Sequence, residues 1–114
     1  TGSEIDAEGI RLYHALISDR SHVEGTLSMM AQWRLERLLR DLPNVPCPAL
    51  LLTGENDGAV PPSVSEAAAG RMPHATHIPH PGRGHLLHEE DPETVAQQIF
   101  KFIADTKKGS QATA

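Results

Sequence analysis

Apolar and polar positions along the chain follow one rhythm up to residue 42 and another beyond it. Ile10, Tyr13 and Ile17 recur at helical spacing behind Ser3 and Asp6, which predicts a helix starting near Ser3 and ending at residue 18. Asp19-Arg20 breaks the pattern. Ser21 and Glu24 then match a capping box, in which the serine oxygen takes the amide of residue 24 while the glutamate reaches back. Val23, Leu27 and Met30 carry the apolar stripe on toward Trp33, so a second helix is predicted over about residues 22–33. A short third helix over 35–40 places Leu38, Leu39 and Leu42 on one side.

Pro43, Pro46 and Pro48 stop helical structure, and the pattern changes. Ala49 to Leu52 is an unbroken apolar run ending at Thr53-Gly54, which reads as a strand buried on both faces, as in a parallel sheet. Val60-Pro61-Pro62-Ser63 opens a helix to about residue 70 or 71, with proline suited to its first turn. The alanines at 67–69 let that helix lie close to the sheet. Met72-Pro73 ends it, and a weaker strand is predicted over 75–79. Glu89, Glu90 and Asp91 read as a solvated helix entrance that complements the helix dipole. Asp91 caps the last helix, Pro92 is its first residue, and Val95, Ile99, Phe102 and Ile103 are its expected buried face. The chain thus divides into a helical segment (1–42), a β-α-β-α segment (43–106) and an expected disordered tail (107–114), with no internal repeat.

Composition narrows the classes. At 114 residues, one domain is the upper bound. One Trp, one Tyr and two Phe make a thin core. A strand such as 50–52 needs neighbours on both edges and layers on both faces, yet the chain offers only one more strand. It is therefore expected to be part of a domain, associating with the remainder of that domain or with itself. Thr1 is not an initiator Met, and no apolar run is long enough for a membrane span or signal peptide. The single Cys47 rules out an internal disulfide framework and suits a reducing compartment, hence a cytoplasmic location. A formal net charge of −5 without a basic patch argues against nucleic-acid binding, and Lys107-Lys108 reads as a solvated pair.

Candidate chemistry gathers in two loops. Asp57 stands among turn residues just past the first strand, and His85 stands in the glycine-rich loop after the second, 28 residues later. In a parallel sheet both loops leave at the same edge, where working side chains sit. A carboxylate beside an imidazole fixes its tautomer and stabilises the imidazolium, while the imidazole takes a nucleophile's proton and returns it to the leaving group. Gly82 and Gly84 would let the loop bend His85 back over the sheet edge. The plainer reading makes Asp57 a turn residue and the glycines turn formers. Glu55 and Asn56 are the other polar residues near the acid position. Five of the seven histidines (74, 77, 80, 85 and 88) fall within 15 residues. They match neither helical zinc motif, and His74, His77 and His80 would alternate across a strand, so no metal site and no cofactor are expected. Met29, Met30 and Trp33 at helical spacing read first as core; Met30 and Trp33 are also candidates for a substrate pocket.

Gly54-Glu55-Asn56-Asp57 after one strand, Gly84-His85 after the next, and His88-Glu89-Glu90-Asp91-Pro92-Glu93 leading into a helix together resemble the C-terminal end of the α/β-hydrolase fold. The resemblance implies that Asp57 is a triad acid and His85 the base. It also implies that residues 1–42 are the end of a helical cap returning to the sheet, and that a nucleophile lies upstream. No Gly-x-Ser-x-Gly occurs in the 114 residues, and Gly25-Thr26-Leu27-Ser28-Met29 has the wrong neighbours. The chain alone is therefore expected to be inactive, as the end of an acyl- or ester-type hydrolase. A narrower resemblance runs through Leu12-Tyr13, the stretch Gly25 to Trp33, and Leu38-Leu39-Arg40-Asp41-Leu42-Pro43. These are similar to the magnesium-chelatase accessory proteins of bacteriochlorophyll synthesis, although Arg34 stands where an acidic residue is expected. That resemblance implies a non-hydrolytic accessory or ligand-binding role in magnesium insertion into protoporphyrin, with a tetrapyrrole-related small molecule as substrate.

Overall fold

The computed structural model describes residues 1–112, and side chains as far as Lys108. The chain forms two compact units, Ile5–Asp41 and the combination of Thr1–Glu4 with Leu42 onward. Thr1–Glu4, which the sequence pattern assigns to the helical segment, thus pack with the β-containing unit.

The first unit holds α1 (Ala7–Ser18), α2 (Arg20–Ala31) and α3 (Leu35–Asp41). α1 begins where Asp6 Oδ1 accepts the Gly9 amide at 2.7 Å, so Ser3 is outside the helix. Asp19 ends α1 and starts α2: its amide donates to Leu16 O, and its Oδ1 accepts the His22 amide at 2.9 Å. The expected capping box at Ser21 and Glu24 does not form. A charged carboxylate in extended backbone, two residues earlier, satisfies the orphan amides and complements the dipole more strongly than a hydroxyl. Glu24 instead accepts from Arg20 Nε at 2.7 Å. None of these three helices contains a buried residue, and Ile10 and Ile17 of the apolar stripe are 58% and 69% exposed.

In the second unit a 3₁₀ turn (Leu42–Asn44) leads to β1 (Ala49–Gly54), α4 (Pro62–Ala69), β2 (Ala75–His80), α5 (Leu87–Glu90) and α6 (Pro92–Ala112). β1 and β2 pair in parallel, with partners running from Ala49↔Ala75 to Gly54↔His80, and α4 is the crossover that parallel strands require. Both strands outlast their apolar runs, because the ladder continues until the Glu55 amide donates to His80 O at 3.0 Å. The two strands therefore end level with each other.

The apolar strand is not buried on both faces: Ala49 to Thr53 are half-buried, and only Gly54 is buried. β2 covers one edge of β1, and among the described residues no strand covers the other. An open hollow of about 390 Å³ lies beside the sheet, lined by Leu50, Ile78 and Phe102 among others. The apolar core is small: Leu42, Leu87 and Val95. Of the expected buried face of α6, only Val95 is buried, while Ile99 and Ile103 are 41% and 43% exposed. α6 also runs through residues 107–112, where the sequence pattern predicts disorder. Once a helix is nucleated and docked, each further residue adds one hydrogen bond, and the Lys101–Asp105 ion pair at 2.7 Å supports that extension. Residues 113–114 of the expected tail lie outside the described residues. Among the described residues no helix is long and apolar enough to cross a membrane.

Candidate active site

Because β1 and β2 end in register, the loops that follow them start side by side. Asp57 lies just past β1 and His85 just past β2, and Asp57 Oδ2 sits 2.8 Å from His85 Nδ1. Of the three polar residues at 55–57, it is Asp57 that meets the imidazole. Its side chain is 9% exposed, against 40% for His85. Burial would raise the Asp57 carboxyl, but the amides of Val60 and Ala59, each 2.8 Å from Oδ1, together with His85 on Oδ2, hold it below the ordinary aspartate value. With Nδ1 donating to a carboxylate, neutral His85 carries its lone pair on Nε2, the nitrogen free to accept a proton. A cavity of about 230 Å³ opens beside the pair, lined by Asp57 and His85 with Leu52, Val60, Ser65 and Leu87.

The two loops are joined through their backbones. Asn56 donates its amide to Arg83 O at 2.8 Å. Gly54 lies so close to the base loop that a Cβ there would overlap the carbonyl oxygens of Arg83 and Gly84. Gly82 has a φ of 70°, so the bend anticipated from the glycines is made in left-handed backbone that glycine adopts without steric cost.

The N-terminal residues, which sequence reasoning left out of the site, cross both loops. Thr1 O accepts from the amides of Gly58 at 3.2 Å and His85 at 3.1 Å. Ser3, expected to start a helix, instead takes the Leu86 amide on its Oγ at 2.7 Å. Glu90, expected in a solvated helix entrance, accepts the Gly84 amide at 2.8 Å on Oε2 and the Glu4 amide at 3.2 Å on Oε1. Burial would raise the Glu90 carboxyl, but these two amides, the Ser3 side chain and the nearby Arg83 charge bring it below the usual glutamate range. Asp91 does cap α6, taking the Thr94 amide on Oδ1 at 3.3 Å, and it also holds Arg83 Nη2 at 3.2 Å through Oδ2. Thr94 first, then Arg83, lowers its carboxyl. Nothing in the sequence separates a Glu90 that holds a loop from one that faces water, because both sit acceptably in a first helical turn.

The other candidates fall elsewhere. Met30 and Trp33 lie in the helical unit, 47% and 56% exposed, where Trp33 lines a shallow hollow with Arg34, Leu35 and Leu38. His77 Nε2 contacts Thr53 Oγ1 at 2.8 Å, and buried His80 lies between Thr53 O at 3.3 Å and Gln98 Oε1 at 2.9 Å. Among the described residues no group of three or more His, Cys, Asp or Glu could hold a metal ion.

Residues 7–98 match the model of the Alpha/beta hydrolase family. The chain is 44% identical over 103 residues to the "Magnesium-chelatase 30 kDa subunit" of Rhodobacter capsulatus, covering 90% of this chain but only 36% of that relative. Among solved structures, a thermophilic esterase from Thermogutta terrifontis is 35% identical, with 60% of this chain and 25% of that chain covered and a TM-score of 0.57. An alpha/beta hydrolase enzyme from a sediment metagenome of the Mar Chica lagoon, Morocco, is 26% identical, with 91% and 48% covered and a TM-score of 0.69. In each case the similarity falls on part of a longer chain.

Proposed function

This chain belongs to the alpha/beta hydrolase family, and on that premise we propose that Asp57 and His85 are the acid and base of an ester- or acyl-hydrolysing site whose nucleophile lies elsewhere in the protein. The 2.8 Å contact between Asp57 Oδ2 and His85 Nδ1 carries the reading. Asp57, held ionised by its amide hydrogen bonds, fixes the tautomer with Nε2 unprotonated. A nucleophile hydroxyl facing Nε2 gives up its proton there as it attacks the acyl carbon. The resulting imidazolium is stabilised by the Asp57 carboxylate and then returns the proton to the leaving oxygen. The esterase among the structural relatives supports an ester as the substrate class. The rest of the hydrolase domain is the proposed partner of this chain, and the cytoplasm its proposed location.

The test is ester hydrolysis by the whole protein with an activated p-nitrophenyl ester. Burst acylation that His85→Ala abolishes is the expected result. Equal turnover in wild type and His85→Ala would overturn it.

A second reading rests on the 44% identity to a magnesium-chelatase subunit. In this reading the family fold is kept, and the protein assists magnesium insertion into protoporphyrin without hydrolysing anything. A chelatase assay that depends on the whole protein but is unchanged by Asp57→Asn and His85→Ala would favour it. So would a Gly or Ala at the upstream elbow.

A further inference from the structure

Among the described residues the His85 side chain has one hydrogen-bond partner, Asp57 at Nδ1, and it stands on a loop with its side chain 40% exposed. What keeps the imidazole beside Asp57 must therefore come largely from the backbone. The amides of Gly84, His85 and Leu86, three in succession, each donate out of the loop to a different acceptor: Glu90 Oε2 at 2.8 Å, Thr1 O at 3.1 Å and Ser3 Oγ at 2.7 Å. Two of the three acceptors are side chains. The Glu90 carboxylate also takes the Glu4 amide, so one group bridges the base loop and the segment that crosses it.

We propose that Ser3 and Glu90 are positioning residues for His85, a clip that fixes the backbone on either side of the imidazole and so sets its distance to Asp57. The inference rests on the reading of Asp57 and His85 as acid and base. Ordering a loop residue costs backbone entropy, and hydrogen bonds to an ionised carboxylate are stronger than neutral ones. Reacting groups need placement within about 0.5 Å, so a loop fixed on both sides of its working residue serves the chemistry directly.

The test uses the whole protein with ¹⁵N-labelled histidine under alkaline conditions, where imidazole is neutral, and reads the His85 tautomer from its two ring-nitrogen shifts. Asp57→Asn is the reference variant: without the carboxylate, the Nδ1-protonated tautomer is expected to lose its dominance. Ser3→Ala removes no charge, so it can act on His85 only by letting the ring move. It is expected to shift the tautomer balance by a substantial part of the reference change, and Ser3→Thr, which keeps the hydroxyl, to restore it. Glu90→Gln is expected to exceed the effect of Glu4→Gln, which removes an equal charge from the same segment and leaves the Glu4 amide in place. A tautomer balance that moves in Asp57→Asn but stays at the wild-type value in Ser3→Ala, with Glu90→Gln no different from Glu4→Gln, overturns the clip alone. A balance unmoved even in Asp57→Asn overturns the acid–base reading, and the clip with it.

Discussion

Asp57 and His85 meet at 2.8 Å, and the carboxylate that holds the imidazole through one oxygen is itself held through the other by the amides of Ala59 and Val60. The acid thus has a structural task and a proposed chemical one on separate atoms.

Asp57→Asn separates the two tasks. The asparagine oxygen still accepts the Ala59 and Val60 amides, while its NH₂ faces Nδ1 and favours the wrong imidazole tautomer. Ester hydrolysis by the whole protein is expected to fall by about 10⁴-fold, with a melting temperature lowered only modestly, since the amide bonds remain and only their charge-assisted part is lost. Steady-state kinetics and a thermal melt on one preparation check both halves. Wild-type kcat/KM in the variant would remove Asp57 from the mechanism.

Acid should weaken the fold through the same loops. Asp57 and Glu90 both titrate below their ordinary values in the folded protein. Their contribution to stability is therefore fully present above the unfolded-state values of about 4 and is lost as pH falls through the depressed folded values. Denaturation midpoints of the whole protein should be flat with respect to these groups from neutrality to about pH 5 and fall below about pH 4. Glu90→Gln should flatten that decline. An unchanged acid limb in the variant would show that Glu90 is as free as the sequence suggested.

Gly54→Ala should be disruptive despite adding one methyl group. Its Cβ would overlap the Arg83 and Gly84 carbonyl oxygens, which are backbone and cannot rotate away. A loss of about 1–3 kcal/mol is expected, in the range of overpacking in close-packed interiors. Urea denaturation of the whole protein measures it; a change below half a kilocalorie would mean that the loops separate easily.

The isolated 114-residue chain should neither hydrolyse esters nor remain a monomer. It has no Gly-x-Ser-x-Gly, and β1 has one edge without a strand partner among the described residues. Trp33, Leu27, Ile17 and Phe100 are all more than half exposed. Burying a leucine contributes about 1.5–3 kcal/mol against whole-domain stabilities of about 5–15 kcal/mol. Uncovered apolar surface and open sheet edges therefore recruit partners. Size-exclusion chromatography with light scattering should show self-association. A sharp, cooperatively melting monomer would overturn this expectation.

Much of the fold was legible because its signals are local. An apolar run, three prolines and a crossover helix are enough to set two parallel strands, and parallel strands bring Asp57 and His85 to one edge whatever lies between them. The departures have a common cause. Ser3 bonds to Leu86 and Glu90 bonds to Glu4, contacts 83 and 86 residues apart in sequence, and in each the partner is a backbone amide that every residue except proline carries. No residue type marks such a partner. At residues 19–24 the error was local: two plausible caps competed, and the carboxylate of Asp19 prevailed over the hydroxyl of Ser21. In the helical unit, periodicity says which apolar residues share a face and not what covers it.

The Arg83 carbonyl has an effect in time as well as in space. It receives the Asn56 amide and lies flush against Gly54, so neither loop swings outward without pulling on the other. On warming, acid and base should leave their places together. The site would then fall silent at a single temperature, with no interval in which His85 stands ready beside a departed Asp57.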